Sequence, residues 1–305
     1  MMRISTSMIF QQGANQISDL QSSLVKTQQQ LSTGRRILTP ADDPIAAARA
    51  LDVTQSQSVN TQYATNRQTA VSSLTAVDSS LAGVTSILQD VKTQIVYAGN
   101  GTLSNSDRSN LATQLSGDLD QLLAQANATD GIGNYLFSGY QTGTQPFVKT
   151  ASGAQYNGDQ GQRQIQVDST RQMSVSASGQ AIFQGNNQDV FKTLTDLISL
   201  LQTPVTTPAG SAALSAGLTS ANGNIDQSLN NVLTVRASVG SRLKELDSLN
   251  SIGSSKDIQY SQTLSQLQDV DYAKAISQLT QQQTTLQAAQ QSFVKIAGLS
   301  LFNYL

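Results

Sequence analysis

The chain has 305 residues and a mass of 32.3 kDa, a length that corresponds to about two domains of ordinary size. Only 12% of the residues are charged and the net charge is −2, whereas Gln and Ser are abundant, with 40 and 39 copies. The absence of His and Cys excludes His-dependent nucleophilic catalysis, thiolate metal sites and disulfides, and the lack of a basic face argues against nucleic-acid binding.

The first predicted helix covers residues 5–33. Its apolar residues recur with a seven-residue period, which predicts a narrow coiled-coil seam made of Phe10, Ile17, Leu20, Leu24 and Leu31. Gly13 and Thr27 fill the intervening seam positions. Gly34 then stands where a glycine commonly ends a helix.

The segment from Gly34 and Arg35 to Pro44 predicts an elbow between two helices. Pro40 stops any continuing helix. Asp42 and Asp43 lie just before Pro44, and Asp followed by Pro is a strong start signal, because the carboxylate accepts hydrogen bonds from free amides and proline suits the first helical position.

The second predicted helix, from 44 to 98, would be about 80 Å long. Its seam is continuous and consists of Leu74, Val77, Leu81, Val84, Leu88, Val91 and Ile95.

A third helix is predicted at 105–128. Residues 134–186 then predict a small antiparallel β insert, because hydrophobic alternation appears at 164–167 and 173–176 and turn signals stand at Asn157-Gly158 and Ser178-Gly179.

The pattern becomes helical again after residue 187. A linker at 204–210 precedes two further predicted helices, at 211–251 and 256–300. The seam predicted for the last helix contains Ile276, Leu279, Leu286 and Phe293, with Gln283 and Gln290 between them.

The expected fold is therefore mainly α with a small β insert. It is an elongated rod of long antiparallel coiled-coil helices, with the N- and C-terminal helices paired and the β domain at the far end. We expect a rod domain at 44–133 plus 187–264 and a β domain at 134–186. Residues 1–43 and 265–305 form a terminal assembly region. This region carries few large apolar residues, so their burial offsets little of the conformational entropy that is lost when the region becomes ordered. We therefore predict that it is disordered in the isolated chain and becomes ordered on contact with neighbouring copies.

Several alternatives stay open at this stage. The terminal seams could instead pack on the rest of the same chain. The aromatic residues Tyr135, Phe137, Tyr140 and Phe147 could bind a ligand, although a small β-domain core is the stronger interpretation. Asp269 and Asp271 lack the third ligand and glycine turn of a calcium site. We expect no metal, no cofactor, no catalytic residues and no membrane insertion, since no run of about 18 apolar residues is present.

Three segments resemble the flagellin superfamily, and within it the hook-associated protein 3 family. They are the start Met2-Arg3-Ile4-Ser5-Thr6, the elbow string from Leu31 to Pro44, and Tyr135-Leu136-Phe137-Ser138-Gly139-Tyr140. The ending Leu299-Ser300-Leu301-Phe302 also fits. The elbow string is the most specific of these, and its Thr-Pro-Ala-Asp-Asp-Pro form favours the junction family over flagellin itself.

This resemblance implies a structural, non-enzymatic axial protein of the bacterial flagellum. Such a protein forms a ring at the hook–filament junction, and its partners are other copies of itself, the first hook-associated junction protein, flagellin, and a cytoplasmic export chaperone at the C-terminal segment. Export would follow the flagellar type III pathway to the cell exterior without a cleaved signal peptide. The seam residues of both ends, together with Leu301 and Phe302, would form the assembly interface. The alternatives are flagellin, the filament subunit, or a secreted adhesin that binds through the β insert.

Overall fold

The protein is described by a computed structural model of residues 2–185 and 188–302, with side chains described for 8–185 and 188–296. Its elements in chain order are α1 (Met2–Thr33), α2 (Pro44–Ala98), α3 (Asn105–Ala126), β1 (Phe147–Thr150), β2 (Gly153–Tyr156), β3 (Gln164–Asp168), β4 (Arg171–Ser174), α4 (Gly179–Phe183), α5 (Val190–Gln202), α6 (Pro208–Gln268) and α7 (Tyr272–Phe302). The mainly α fold with a small antiparallel β insert is confirmed. The chain forms two compact units, residues 1–59 with 255–305, and residues 60–254.

In the first unit, α1 and α7 pair in antiparallel orientation. The rings of Phe10 and Phe293 lie 4.7 Å apart between centroids near one end of the pair, and Arg35 forms an antiparallel β-bridge with Asp269 at the other. Gly13 leaves room for Phe293, because a Cβ atom there would lie 2.9 Å from the ring. The pairing of the two terminal helices is therefore fixed at both ends.

The seam of α7 differs in register from the prediction. The side chains shielded against α1 are Ala275, Leu279, Gln282, Leu286, Ala289 and Phe293, so the seam passes through Gln282 and Ala289 rather than through Gln283 and Gln290. Ala275 is 4% exposed, whereas Ile276 is 54% exposed. Both stripes repeat every seven residues, and the sequence could not separate them because they share Leu279, Leu286 and Phe293.

The predicted helix break at 252–255 is wrong, because α6 continues to Gln268. Gly253, which lies within the expected break, is a packing residue, because a Cβ atom on it would clash with Nη2 of the buried Arg67. Its small size makes room for a guanidinium group and does not end the helix.

The actual interruption falls at Asp269–Asp271, opposite the elbow. The Arg36 amide donates to the Gln268 carbonyl at 2.6 Å, and the Val270 amide donates to the Gly34 carbonyl at 2.9 Å. The Asp271 carboxylate then accepts from the Lys274 amide at 3.1 Å and caps α7. Long-range pairing with the elbow therefore determines where α6 ends.

The second unit has a continuous apolar core, as the α2 seam predicted. The seven seam residues from Leu74 to Ile95 are each at most 3% exposed. They pack with buried residues of three further helices, namely Leu111, Leu115, Leu119 and Leu122 of α3, Val190, Phe191, Leu194, Leu197 and Leu201 of α5, and Leu218, Ile225 and Val232 of α6. Burial of these side chains is the main source of stability in this unit.

The β insert consists of two separate antiparallel hairpins. β1 pairs with β2 from Phe147↔Tyr156 to Thr150↔Gly153, and β3 pairs with β4 from Gln164↔Ser174 to Asp168↔Arg171. The two hairpins reverse at 151–152 and 169–170, and the turn signals at 157–158 and 178–179 lie outside the strand pairs. Gly158 instead allows close approach of the loop, because a Cβ atom there would lie 2.9 Å from Ser138 Cα.

The β3–β4 hairpin is attached to α2 inside the second unit. The side chains of Asn66 and Arg67 in α2 bond the backbone of β3. The hairpin reaches this part of α2 because α3 runs back along α2 before the chain enters the β insert. Phe137 and Phe147 are fully buried in the core, whereas Tyr140 is 66% exposed.

Among the described residues, α2 is the one helix long and apolar enough by composition to be a candidate membrane span. The apolar seam of this helix is packed in the core of the second unit. A buried core helix meets the same criterion, so the finding is weak evidence for a membrane span.

We predict opposite effects for two glycine substitutions in α6. Gly240→Ala should raise the free energy of unfolding by about 0.5–1 kcal/mol, because Ala favours a helix interior and no atom lies within 4 Å of the added Cβ. Gly253→Ala should lower the free energy of unfolding, because its Cβ meets the Arg67 guanidinium. Urea denaturation of the full chain measures both, and stabilisation by Gly253→Ala would contradict the packing role.

Candidate assembly surface and elbow

The structure brings together most of the predicted interface residues within one chain. Ile17, Leu20, Leu24 and Leu31 of α1, and Leu279, Leu286 and Phe293 of α7, are half-buried in the pair, and Phe10 is 52% exposed. This pairing of the two terminal helices is the one that the fold prediction describes, and it leaves the seams only half-covered. The side chains of Leu301 and Phe302 lie outside the described ones.

One face of α7 beside the seam stays uncovered. Tyr272, Ile276 and Val294 are 53%, 54% and 69% exposed. At 100° per residue, Gln283, Gln287 and Gln290 fall on the same face, and all three are exposed. We call these six residues the α7 flank. It contains no charged residue.

The start of the described part of α1 also exposes apolar side chains. Met8 is 67% exposed and Ile9 is 55% exposed, next to the half-covered Phe10. Farther along α1, Val25 is 48% exposed. Uncovered aliphatic residues on both helices of one pair indicate a surface that can bind another protein.

The elbow begins at Gly34, which has a left-handed backbone conformation with φ 71°. A side chain there would be strained, and its Cβ would lie 3.0 Å from the Tyr272 hydroxyl. Arg35 forms the β-bridge to Asp269, and the Arg36 guanidinium donates to the Leu267 carbonyl at 2.8 Å. The elbow is thereby held against the end of α6.

Asp42 organises the turn that contains Pro40. Its Oδ2 accepts from the amides of Leu38 and Thr39 at 2.9 and 2.8 Å, and its Oδ1 lies 2.5 Å from Lys26 Nζ. The hydrogen bond from Lys26 and then the amide of Thr39 hold the pKa of the Asp42 carboxyl far below its usual range. The ion pair joins the elbow to α1.

Asp43 caps α2. Its carboxylate accepts from the Ala46 amide at 3.0 Å and from Arg36 Nη1 at 3.1 Å, and Pro44 is the first residue of the helix. The Ala46 amide, followed by Arg36, lowers the pKa of Asp43. Asp43 therefore caps the N-terminus of α2, as the Asp43-Pro44 sequence predicted.

Sequence reasoning missed the partners of these carboxylates. Lys26 lies 16 positions before Asp42, and Gln30, whose Nε2 donates to the Arg36 carbonyl at 2.6 Å, lies within the helix that precedes the elbow. No spacing rule connects a helix surface to a later turn, so only the folded chain reveals these contacts.

Among the described residues, no cluster of three or more His, Cys, Asp or Glu side chains could hold a metal ion. Asp269 and Asp271 participate in the bridge and the cap instead. The chemistry that the elbow offers is capping and ion pairing.

Two family descriptions match the chain at its two ends. Residues 4–142 match the bacterial flagellin N-terminal helical region, and residues 223–305 match the bacterial flagellin C-terminal helical region. The fold is similar to that of FlgL from Xanthomonas campestris (TM-score 0.64, 22% identity, 70% of this chain and 99% of that chain). It is also similar to that of the flagellar junction protein FlgL from Legionella pneumophila (TM-score 0.64, 21% identity, 72% and 100%). The paired terminal helices, the elbow and these matches define a flagellin-like structural protein.

Two relatives identify the family more closely. The chain is 41% identical to flagellar hook-associated protein 3 of Escherichia coli K12 over 315 aligned positions, and 40% identical to the protein of the same name from Salmonella typhimurium LT2, with 99% of each chain covered. The chain therefore belongs to the flagellar hook-associated protein 3 family. It is a structural protein of the bacterial flagellum, which is assembled outside the cell.

We predict that Asp42 titrates at a much lower pH than an unperturbed Asp side chain. Its folded pKa lies below the ordinary value of about 3.9, so the elbow contact stabilises the protein above that pH and is lost only as pH falls through the folded pKa. Carboxyl-carbon NMR of the full chain measures the titration of this residue. Lys26→Met should raise the pKa of Asp42, and titration of wild-type Asp42 at the ordinary value would contradict the observed elbow.

Proposed function

We propose that this protein forms the ring that joins the hook-associated zone to the filament, and that copies contact one another through the terminal helical pair. The α7 flank is the observation that carries the proposal. Three large apolar residues on it are more than half exposed, and its other members are neutral Gln side chains. Such a face can pack beside a copy of itself without bringing like charges together.

Assembly would be coupled to ordering of the terminal region, residues 1–43 and 265–305. The α1–α7 pair buries Thr27 and Ala275 deeply, but its larger seam residues are only half-buried. Two helices with a half-covered seam have little apolar burial to offset their conformational entropy. A neighbouring copy on the flank would supply the missing burial.

The same proposal assigns partners and location. In addition to other copies of itself, the ring would contact the first hook-associated junction protein on one side and flagellin on the other. A cytoplasmic chaperone would hold the C-terminal segment before flagellar type III export, which needs no cleaved signal peptide. The absence of Cys supports export as an unfolded chain, since no disulfide can form before transit.

This assignment also excludes catalysis and favours the junction over two other roles. The relatives aligned over full length are hook-associated proteins, which supports the junction role against the filament subunit. An adhesin that binds through the aromatic residues of the β insert would need them exposed, whereas Phe137 and Phe147 are internal and Tyr140 is exposed. We therefore infer that the insert is structural and that the protein has no enzymatic activity.

We predict that Ile276→Asp blocks assembly without unfolding the monomer, because it places a charge on the exposed α7 flank. In a strain that lacks the native copy, the wild-type chain should restore motility. Ile276→Asp should leave hooks without filaments and release filament protein into the medium. Gln278→Asp, also exposed but on the opposite flank of α7, is the matched control and should restore motility. Normal filaments with Ile276→Asp would refute the flank as an interface.

We also predict that limited proteolysis of the monomer removes roughly the first 40 and the last 40 residues and leaves a resistant middle fragment, because the terminal pair has the lowest apolar burial. Mass spectrometry of the fragments over time measures the order of cleavage. In assembled rings the same sites should be protected. Terminal helices that resist cleavage in the monomer as long as residues 74–95 would contradict coupled ordering.

A further inference from the structure

The β3–β4 hairpin is attached to α2 by two side chains that lie next to each other. Asn66 Nδ2 donates to the Gln166 carbonyl at 2.7 Å, and Arg67 Nη1 donates to the Val167 carbonyl at 3.0 Å. The strand pairing has an irregularity between Gln166 and Asp168, so Val167 does not follow the regular ladder. The bulge leaves the Val167 carbonyl available to Arg67.

The same hairpin is attached to α6 by its second strand. Arg171 forms a two-pronged ion pair with Glu245, with Nε–Oε1 and Nη2–Oε2 distances of 2.6 and 2.9 Å. Arg242 Nη1 donates to the Ser174 carbonyl at 3.2 Å. The hairpin therefore bridges both long helices.

Arg67 occupies an unusual place for a charged residue. It lies seven positions before Leu74 on the seam of α2, and it is 2% exposed. An apolar residue at this position would continue the seam. A buried guanidinium costs free energy unless its donors are paired, so its presence calls for a specific set of partners.

Those partners lie on α6 as well as on the hairpin. Arg67 Nε donates to Asn250 Oδ1 at 2.7 Å, and Gly253 leaves the space that Nη2 occupies. About two turns before Arg67 in α2, Asn60 Nδ2 donates to the Gly253 carbonyl at 2.9 Å. The planar guanidinium group of an Arg side chain donates to two acceptors in fixed directions. The donors of a Lys ammonium group are not fixed in a plane.

We infer that Arg67 is a positioning residue that fixes the β3–β4 hairpin as a clasp across α2 and α6. Its guanidinium group donates to one acceptor on α6 and to one on the hairpin, so the hairpin is held in one position on the helix pair. A two-stranded hairpin has marginal stability by itself. Without this guanidinium, the hairpin would remain attached by the buried side chains of Val167 and Met173, by the hydrogen bonds of Asn66 and Arg242, and by the exposed Arg171–Glu245 pair. Exposed ion pairs contribute little to stability.

Hydrogen exchange of the full-length monomer tests this inference. In Arg67→Met, amides of residues 164–174 should exchange about ten- to a hundredfold faster, whereas amides of residues 74–95 keep wild-type rates. Arg67→Lys keeps the positive charge but lacks the planar guanidinium group. It should accelerate amide exchange of the hairpin to a similar extent. It also serves as the test variant if the Met variant does not fold.

Two controls separate the clasp from general destabilisation. Leu74→Met changes the seam one heptad along and should leave exchange of the hairpin unchanged. Glu245→Gln removes the exposed ion pair. It should accelerate amide exchange of the hairpin less than either Arg67 variant does. Hairpin exchange at wild-type rates in a folded Arg67 variant would overturn the inference. Equal acceleration in the hairpin and in residues 74–95 would overturn it as well, because it would show a loss of global stability only.

Discussion

The half-covered seam between α1 and α7 is the constraint on which the function of this protein depends. Each terminal helix carries a narrow apolar stripe in which Gly13, Thr27, Gln282 and Ala289 alternate with larger residues. Two such helices can align in antiparallel register, and the Phe10–Phe293 contact and the Arg35–Asp269 bridge fix that register. They cannot cover all the apolar surface that they carry. A chain that leaves large aliphatic residues exposed in this way is suited to completing its core with neighbouring subunits.

The elbow complements this weak pair with directed polar contacts. The pKa values of Asp42 and Asp43 lie below the usual range because amides and cations surround both carboxylates. Each carboxylate connects a turn or a helix start to a residue elsewhere in the first unit. The antiparallel bridge between the elbow and the end of α6 adds backbone hydrogen bonds. Hydrogen bonds of this kind are directional, so they can set the course of the chain where apolar burial is too small to do so.

The second unit is stabilised by apolar burial and not chiefly by directed polar contacts. Its seam from Leu74 to Ile95 is fully buried, and α3, α5 and α6 contribute large apolar side chains to the same core. Among the polar residues buried in this unit, Arg67 bonds the β3–β4 hairpin and Asn60 bonds the Gly253 carbonyl of α6. Apolar packing thus provides stability, and a few buried polar residues determine where the small β elements sit.

The sequence by itself determined the seams of α1 and α2, the elbow caps and the family. Seven-residue periods predicted α1 and the α2 core, and Asp43-Pro44 predicted the start of α2, because these signals depend on residues close together in the chain. Only the tertiary structure decided which stripe of α7 faces α1, since Ile276 and Ala275 lie one residue apart and fit equivalent repeats. It also decided that Gly253 makes room for Arg67 instead of ending α6, and that α6 ends opposite the elbow. Those outcomes depend on contacts between residues some 200 positions apart, and no local pattern encodes such contacts.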